Sequence, residues 1–452
     1  VSLPTIAKVG TPSSTAETPH VRTLPPLAFW TILVLGAVAG ARYLQQVLDL
    51  PQFMLHLKDL SVYQIAGNRV LDGDSVYDTP LLGNTRGVWE FVYTPFSALL
   101  FVPLAGLTGD PYTWLGGFGN FAMAAGSVFA ALSMLGYRRD ARLAVSSVAV
   151  AGLLMWCEPI RQTMAFGQIN IALLLLVSVD MALPDSSRLK GALTGIAAGI
   201  KLTPAFFVLY LLATRRYRAA GTAAGAFVAT VALGFAAMPE DSLTFWSGAF
   251  ADPARVGVPE NTSNESLRGL LARAIGVDGL HQALWLLGAL ALTALCLYLA
   301  RRLSLTGHEL HAVALCGITS TAVSPFSWVH HWVWVAPLLI ALVETAVRGR
   351  DIAAALLALV AAVIVSGGVL PELGVTANTV LDYGAHGDID PLYRNAYLWL
   401  TIAVFAAGYL HLRRRTRGTQ ALDPKSAPRE AIPSGSETGP RLSAAAESSA
   451  RE

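Results

Sequence analysis

Apolar runs of about 16–25 residues recur along most of this chain, and that length matches a hydrocarbon core of about 30 Å. They lie near 26–47, 92–108, 113–135, 142–157, 168–183, 190–214, 219–237, 281–301, 308–324, 332–347, 351–371 and 396–412. Such a chain is expected to be all-α, a polytopic integral membrane protein of about 12 transmembrane helices (11–13). The run 190–214 is interrupted by Lys201 and Pro204 and reads as two half-helices. The run 92–108 is short and carries Pro95 and Pro103. Composition agrees: charged residues are 14% of the 452 and hydrophobic ones 54%, whereas an ordinary soluble domain is about 25% charged. A soluble multidomain enzyme and a wholly disordered chain are excluded. A net charge of +2 gives no reason to expect nucleic-acid binding. Cys157, Cys296 and Cys316 each sit in an apolar stretch without metal-type spacing, so neither a disulfide framework nor a zinc site is expected.

The few charges gather at the ends and in short runs. Residues 1–24 are rich in Ser, Thr and Pro, and 413–452 in Arg, Ser, Ala, Glu and Pro. Both read as disordered tails flanking a membrane domain over 25–412. The first apolar run starts too late and is too long for a secretory signal. Basic clusters mark cytoplasmic loops. They are Arg138-Arg139-Asp140-Ala141-Arg142, Arg188 with Lys190, Arg215-Arg216-Tyr217-Arg218, Arg301-Arg302, Arg348 with Arg350, and Arg413-Arg414-Arg415. This places both tails in the cytoplasm and the chain in the cell membrane. It requires 190–214 to enter and leave on the cytoplasmic side with Lys201 at the turn. It also requires one run between 92 and 142 to be re-entrant, or a boundary there to shift. The long connections 48–91, 158–167, 238–280, 325–331 and 372–395 then fall outside, with most of the polar and aromatic residues of interest. A transporter would instead scatter ionisable groups near the midplane. Only Lys201 is so placed.

Six segments hold candidate chemistry. Asp59, in Lys58-Asp59-Leu60-Ser61-Val62-Tyr63, is placed to take a proton from an incoming hydroxyl, or is a loop aspartate or the N-cap of a helix over 60–71. Tyr93-Thr94-Pro95-Phe96 reads as a helix start at the membrane interface. Gln168 and Asn170 open a span and either cap it or, with Arg161, offer an anion site at its N-terminus. Lys201, in an apolar run, needs water or an anion, and a phosphate is its natural partner. Asn264 and Glu265 either bond sugar hydroxyls or form a cap for a helix over 266–274. His330 and His331 lie between Trp328 and Trp332. Adjacent helix positions diverge by about 100°, so the pair does not form an i, i+4 metal site, and one His is left to meet a phosphate or orient a carboxylate. No phosphate-binding loop, dinucleotide fingerprint or serine-hydrolase elbow is present, so a donor substrate should come from the lipid phase.

Together these segments resemble the multi-spanning glycosyltransferases of the C superfamily, and within it the actinobacterial α-mannosyltransferases that use polyprenyl-phosphate mannose. The matching stretches come in the family's order: Asp59-Leu60-Ser61-Val62-Tyr63, Tyr93-Thr94-Pro95-Phe96, Gly167-Gln168-Ile169-Asn170, Lys201-Leu202-Thr203-Pro204, Asn264-Glu265-Ser266, and Ser324-Pro325 through His330-His331. The resemblance covers about 25–412. It implies an active site formed by outer-face loops and no metal or other cofactor. The implied donor is a β-linked polyprenyl-phosphate mannose. The implied acceptor is a glycolipid, a phosphatidylinositol mannoside or lipomannan/lipoarabinomannan, which gains an α-1,2 linkage with inversion. Asp59 then matches the family's general base. Lys201, Arg161, His330 and His331 become candidates for the donor phosphate. Tyr63, Gln168, Asn170, Asn264, Glu265 and Trp328 become candidates for sugar or acceptor. Lys58 directly before Asp59 departs from the small or apolar residue expected there, and an adjacent cation lowers a carboxyl pKa. Rival readings keep the fold with another polyprenyl-phosphate sugar such as arabinose, or make the chain a lipid or polysaccharide transporter.

Overall fold

The computed structural model describes residues 21–84, 87–252, 255–366 and 394–421. The chain divides into a first unit, Val1–Tyr409, and a second, Leu410–Glu452. Its helices are α1 (Pro26–Asp49), α2 (Pro51–Met54), α3 (Lys58–Asp72), α4 (Pro95–Phe101), α5 (Gly109–Trp114), α6 (Asn120–Met134), α7 (Ala141–Leu154), α8 (Glu158–Phe166), α9 (Asn170–Met181), α10 (Ala192–Ile200), α11 (Phe206–Ala213), α12 (Tyr217–Ala237), α13 (Pro239–Ser247), α14 (Leu267–Ile275), α15 (Gly279–Leu305), α16 (Glu309–Val323), α17 (Val335–Gly349), α18 (Ile352–Val365) and α19 (Ala396–Ala421). Among the described residues the only sheet is a two-stranded hairpin, β1 (Leu82–Asn84) against β2 (Gly87–Trp89).

Every apolar run of the sequence contains a helix. Among the described residues six helical stretches are long and apolar enough to cross a membrane: Pro26–Asp49, Gly109–Met134, Tyr217–Ala237, Gly279–Leu305, Val329–Gly349 and Ala396–Arg413. α7 and α8 pass as a pair bent by 88°, and five shorter apolar helices accompany them. Large apolar side chains stand exposed along α1 (Val34, Val38), α15 (Leu287, Leu290) and α18 (Leu356, Leu359). A soluble protein would pattern such faces with charge; lipid accepts them. Polar residues cap several of the other ends: Thr94 accepts from Ser97 N, Asp140 from Leu143 N, Ser266 from Gly269 N and Asp278 from His281 N.

The basic loops share one end of the first unit. Glu344 accepts from Tyr137 Oη at 2.9 Å and pairs with Arg22 (3.5 Å) and Arg348 (3.4 Å). Arg139 reaches Ala182 O at 2.7 Å. Lys190 and Arg216 both bond Asp185, at 2.9 and 3.1 Å. Arg216 also pairs with Glu309 at 2.6 Å. Since residues 190 and 216 meet at one carboxylate, the run 190–214 enters and leaves at the same end. α10 rises, the chain breaks at extended Lys201 (φ −144°, ψ 134°), a 3₁₀ turn over Thr203–Ala205 follows, and α11 returns. The short run at 92–108 also stays near one end. Thr94 Oγ1 donates to Gly199 O, beside Lys201, while Leu104 O and Leu107 O accept from Gln64 of α3.

Most of the two tails lies outside the described residues. Where they are described, two expectations change. Leu24 is buried with Tyr137, and Arg22 bonds the backbone of Gly136 and Arg138, because these groups meet the loop before α7. The last helix runs on through Arg413 to Ala421 rather than stopping before it. The end of the 351–371 run and nearly all of 372–395 lie outside the described residues.

Candidate active site

The site is built at the end away from the basic loops, where α9, the α10–α11 tip, the end of α16 and the turn before α17 converge on α3. Glycines allow the approach. Gly191, just before α10, and Gly195 and Gly199 within it form one stripe against α12, and a Cβ there would collide with Ala219 O, Ala223 O and Thr230 Oγ1. This close crossing sets the height of Lys201. Gly167, at φ +67°, turns the chain between α8 and α9 with Leu60 of α3 against it. Leu57 is pinned by its N–H to Ala165 O (2.8 Å), which starts α3 with Asp59 in its first turn. Tyr63, one turn further on, stacks on Phe101 at 4.4 Å.

A cavity of about 740 Å³ results. It is lined by Asp59, Tyr63, Gln168, Asn170, Lys201, Trp328, His330 and His331, all expected from the sequence. Gln168 Nε2 donates to Asp59 Oδ2. Gln168 Oε1 accepts from Tyr63 Oη (2.9 Å) and Tyr93 Oη (3.1 Å), and the two hydroxyls lie 2.7 Å apart. Lys201 Nζ donates to Asn170 Oδ1 (3.1 Å) and lies 3.2 Å from His331 Nε2. Asn170 Nδ2 donates to His330 O at 2.9 Å, as Thr163 Oγ1 does at 3.2 Å, fixing the histidine turn. Both imidazoles line the cavity, at right angles (85°), and His331 is the one bonded to Lys201. Gln168 and Asn170 thus spend their side chains on the site; α9 begins without a side-chain cap. Trp328, Phe326, Trp89 and Phe250 add aromatic surface that suits sugar rings.

Burial lifts the Asp59 carboxyl to about 6, against the Gln168 hydrogen bond and the Lys201 and Lys58 cations, which pull it down. The expected lowering by Lys58 is present but is the least of these causes. The Lys58 side chain is exposed, with its ammonium 5.8 Å from the centre of the Trp89 ring, so water screens it.

Three expected residues do not line the cavity. Arg161 turns to Met54 Sδ (3.5 Å) and the Trp156 ring (5.8 Å). Asn264 is fully buried as a loop clamp: Nδ2 donates to Pro259 O (2.9 Å), and Oδ1 accepts from Ser266 N (3.2 Å) and Ser327 N (3.1 Å). Glu265 sits buried behind the wall, its backbone N–H on Ser327 O (2.8 Å). Burial raises its carboxyl to about 8, with Arg273 opposing and Glu158 assisting the rise. Neither residue is the cap of α14, a role taken by Ser266. Conversely, Tyr93 belongs to the site, although its sequence context spoke only for a helix start. Thr94 and Pro95 do supply that start. Arg255 and Glu90, an ion pair at 2.9 Å, also line the cavity and carried no distinguishing sequence signal.

Comparison with known proteins places the chain in a family. The glycosyltransferase family 87 profile matches residues 91–325. A polyprenol-phosphate-mannose-dependent alpha-(1-2)-phosphatidylinositol mannoside mannosyltransferase of Mycobacterium tuberculosis is 30% identical over 376 residues, covering 80% of this chain and 87% of the relative. A polyprenol-phosphate-mannose-dependent alpha-(1-2)-phosphatidylinositol pentamannoside mannosyltransferase of Mycolicibacterium smegmatis is 32% identical over 355 residues, covering 76% of this chain and 84% of the relative. A protein of the same description from Mycobacterium tuberculosis is 31% identical over 360 residues, covering 76% and 80%. With helices suited to crossing a membrane, a cavity that holds both a buried carboxyl and an ammonium, and relatives of this kind along most of its length, the chain belongs to glycosyltransferase family 87.

Proposed function

We propose that this enzyme moves mannose from polyprenyl-phosphate mannose to a phosphatidylinositol mannoside or a related lipid-linked mannoside, forming an α-1,2 linkage with inversion. The acceptor hydroxyl oxygen attacks C1 of the mannose, and the bond from C1 to the phosphate oxygen breaks. The hydroxyl proton passes to Asp59, and polyprenyl phosphate leaves. Asp59 is the general base, and a pKa near neutrality suits that task. The departing phosphate needs positive charge more than a proton, and Lys201, held by Asn170 and His331, supplies it. The reading calls on no metal ion or other cofactor. The observation that carries it is the meeting of Asp59, through Gln168, and Lys201, through Asn170, in one cavity.

The cavity lies at the end opposite the basic loops. The rule that basic loops stay in the cytoplasm supports a cavity that opens to the outer face of the cell membrane, with both termini cytoplasmic. Asp59→Asn tests the chemistry. In membranes given polyprenyl-phosphate mannose and a phosphatidylinositol mannoside, transfer should fall about 10²- to 10⁴-fold. Full activity would overturn the base assignment. Excess polyprenyl-phosphate arabinose should not compete with the mannose donor. A cysteine at exposed Val88, with the three native cysteines replaced by Ala, should react with an impermeant maleimide in intact cells. Labelling only after lysis would reverse the orientation.

A further inference from the structure

We propose that Gln168 is the positioning residue of the Asp59 base: its amide, held by the Tyr63 and Tyr93 hydroxyls, grips Asp59 Oδ2 and leaves Oδ1 to receive the acceptor's proton. The inference rests on the general-base reading of Asp59.

The amide orientation follows from counting donors. Tyr63 and Tyr93 have one hydroxyl proton each, and three contacts join their oxygens to each other and to Gln168 Oε1. Two protons serve two of the three contacts at a time. Any arrangement with both protons inside the triad gives Oε1 at least one of them, because the two hydroxyls cannot donate to each other at once. Asn170 Nδ2 adds a third donor to Oε1, at 3.5 Å. With Oε1 so occupied, the NH₂ must face Asp59, where a carboxylate accepts it. A flipped amide would set its oxygen against the carboxylate and forfeit that bond. The lock is itself fixed: Tyr63 stacks on Phe101, and both tyrosines are buried. The titratable or charged groups facing Asp59 are Lys58 and Tyr63 from α3, Tyr93 before α4, and Lys201 at the α10–α11 tip, with His331 behind Lys201.

The test uses the full chain in membranes, with polyprenyl-phosphate mannose and a phosphatidylinositol mannoside as substrates. Gln168→Met keeps the bulk and removes the bonds. It should lower kcat about 10- to 100-fold, with donor KM within about twofold. It should also move the acid limb of the pH profile upward, because a bond to the charged form is lost. Tyr63→Phe and Tyr93→Phe should each cost less than about threefold, since one hydroxyl still holds Oε1, whereas the double variant should match Gln168→Met. A KM effect with unchanged kcat and acid limb would make Gln168 a substrate ligand and overturn the inference. So would a double variant no worse than either single one. If Gln168→Met does not accumulate, Gln168→Glu keeps the size and brings a like charge to Asp59. It must then raise the acid limb, and an unmoved limb overturns the inference as well. Gln168→Met should add no loss to Asp59→Asn. An active Asp59→Asn brings down the base reading itself. An inactive one beside an unaffected Gln168→Met brings down only the positioning role.

Discussion

The rate of transfer should follow the ionisation of Asp59, displaced by its burial. A free aspartate titrates near 3.9, and burial carries this one to about 6. The difference of roughly two units is about 3 kcal/mol against the charged form. The sign is set by the role: a base must be ionised, so activity rises with pH through about 6 and levels above about 7. At pH 5 about one tenth of the plateau should remain, and at pH 4 about one hundredth, where a solvent-exposed base would still be about half active. The assay is the initial rate of radiolabelled mannose transfer in membranes between pH 4 and 8. A parallel sample held at pH 4.5 and returned to pH 7.5 shows that the acid loss is reversible titration rather than unfolding. Lys58→Met should move the limb by only a few tenths of a unit, because the exposed Lys58 contributes least. A limb at or below about 4.5 would refute the argument that desolvation governs this carboxyl. A Lys58→Met shift of a full unit would refute the ranking of causes.

Lys201→Met should cost about 10²- to 10³-fold in kcat by removing the charge that meets the departing phosphate. Lys201→Arg should not restore it, because a planar guanidinium does not fit between Asn170 Oδ1 and His331 Nε2 as a point ammonium does; kinetics within threefold of the unaltered enzyme would refute this. Gly191→Ala forces a Cβ onto Ala219 O at φ +101° and should destabilise the fold by about 1–3 kcal/mol. Thermal unfolding in detergent should show a lower Tm for it, and none for Gly221→Ala, which has open space around it. Treatment with EDTA should leave transfer intact; loss of activity restored by one divalent cation would refute a metal-free reaction.

The apolar runs were legible because a bilayer demands apolar segments, and that demand leaves its mark residue by residue; how many of them form helices long enough to cross was not, and among the described residues six do. The hairpin at 190–214 was legible for a related reason: charge pattern required both ends at the basic side, and Asp185 indeed meets both Lys190 and Arg216. Lys201 stood out because a cation in an apolar run is costly unless something answers it. Asp59, Gln168, Asn170 and the two histidines could each be singled out in the sequence as well, but their partners could not. Gln168 read equally as a cap or a ligand, and only its neighbours at 63 and 93 decide that it serves Asp59. Tyr93 read as part of a helix start, because an aromatic residue at an interface needs no further reason.

Arg161, Asn264 and Glu265 mark the opposite limit. Their residue types suit phosphate and sugar, yet they lie outside the cavity lining, where packing and loop closure use them instead. Local sequence thus determined that this chain lives in a membrane, which segments are helical and which charges are anomalous, since these depend on each segment's own transfer cost. The choice of which polar groups meet, and hence the raised Asp59 carboxyl and the locked Gln168 amide, was decided by the tertiary structure. It depends on distances between residues more than a hundred positions apart, brought together by close glycine crossings whose fit no single segment records.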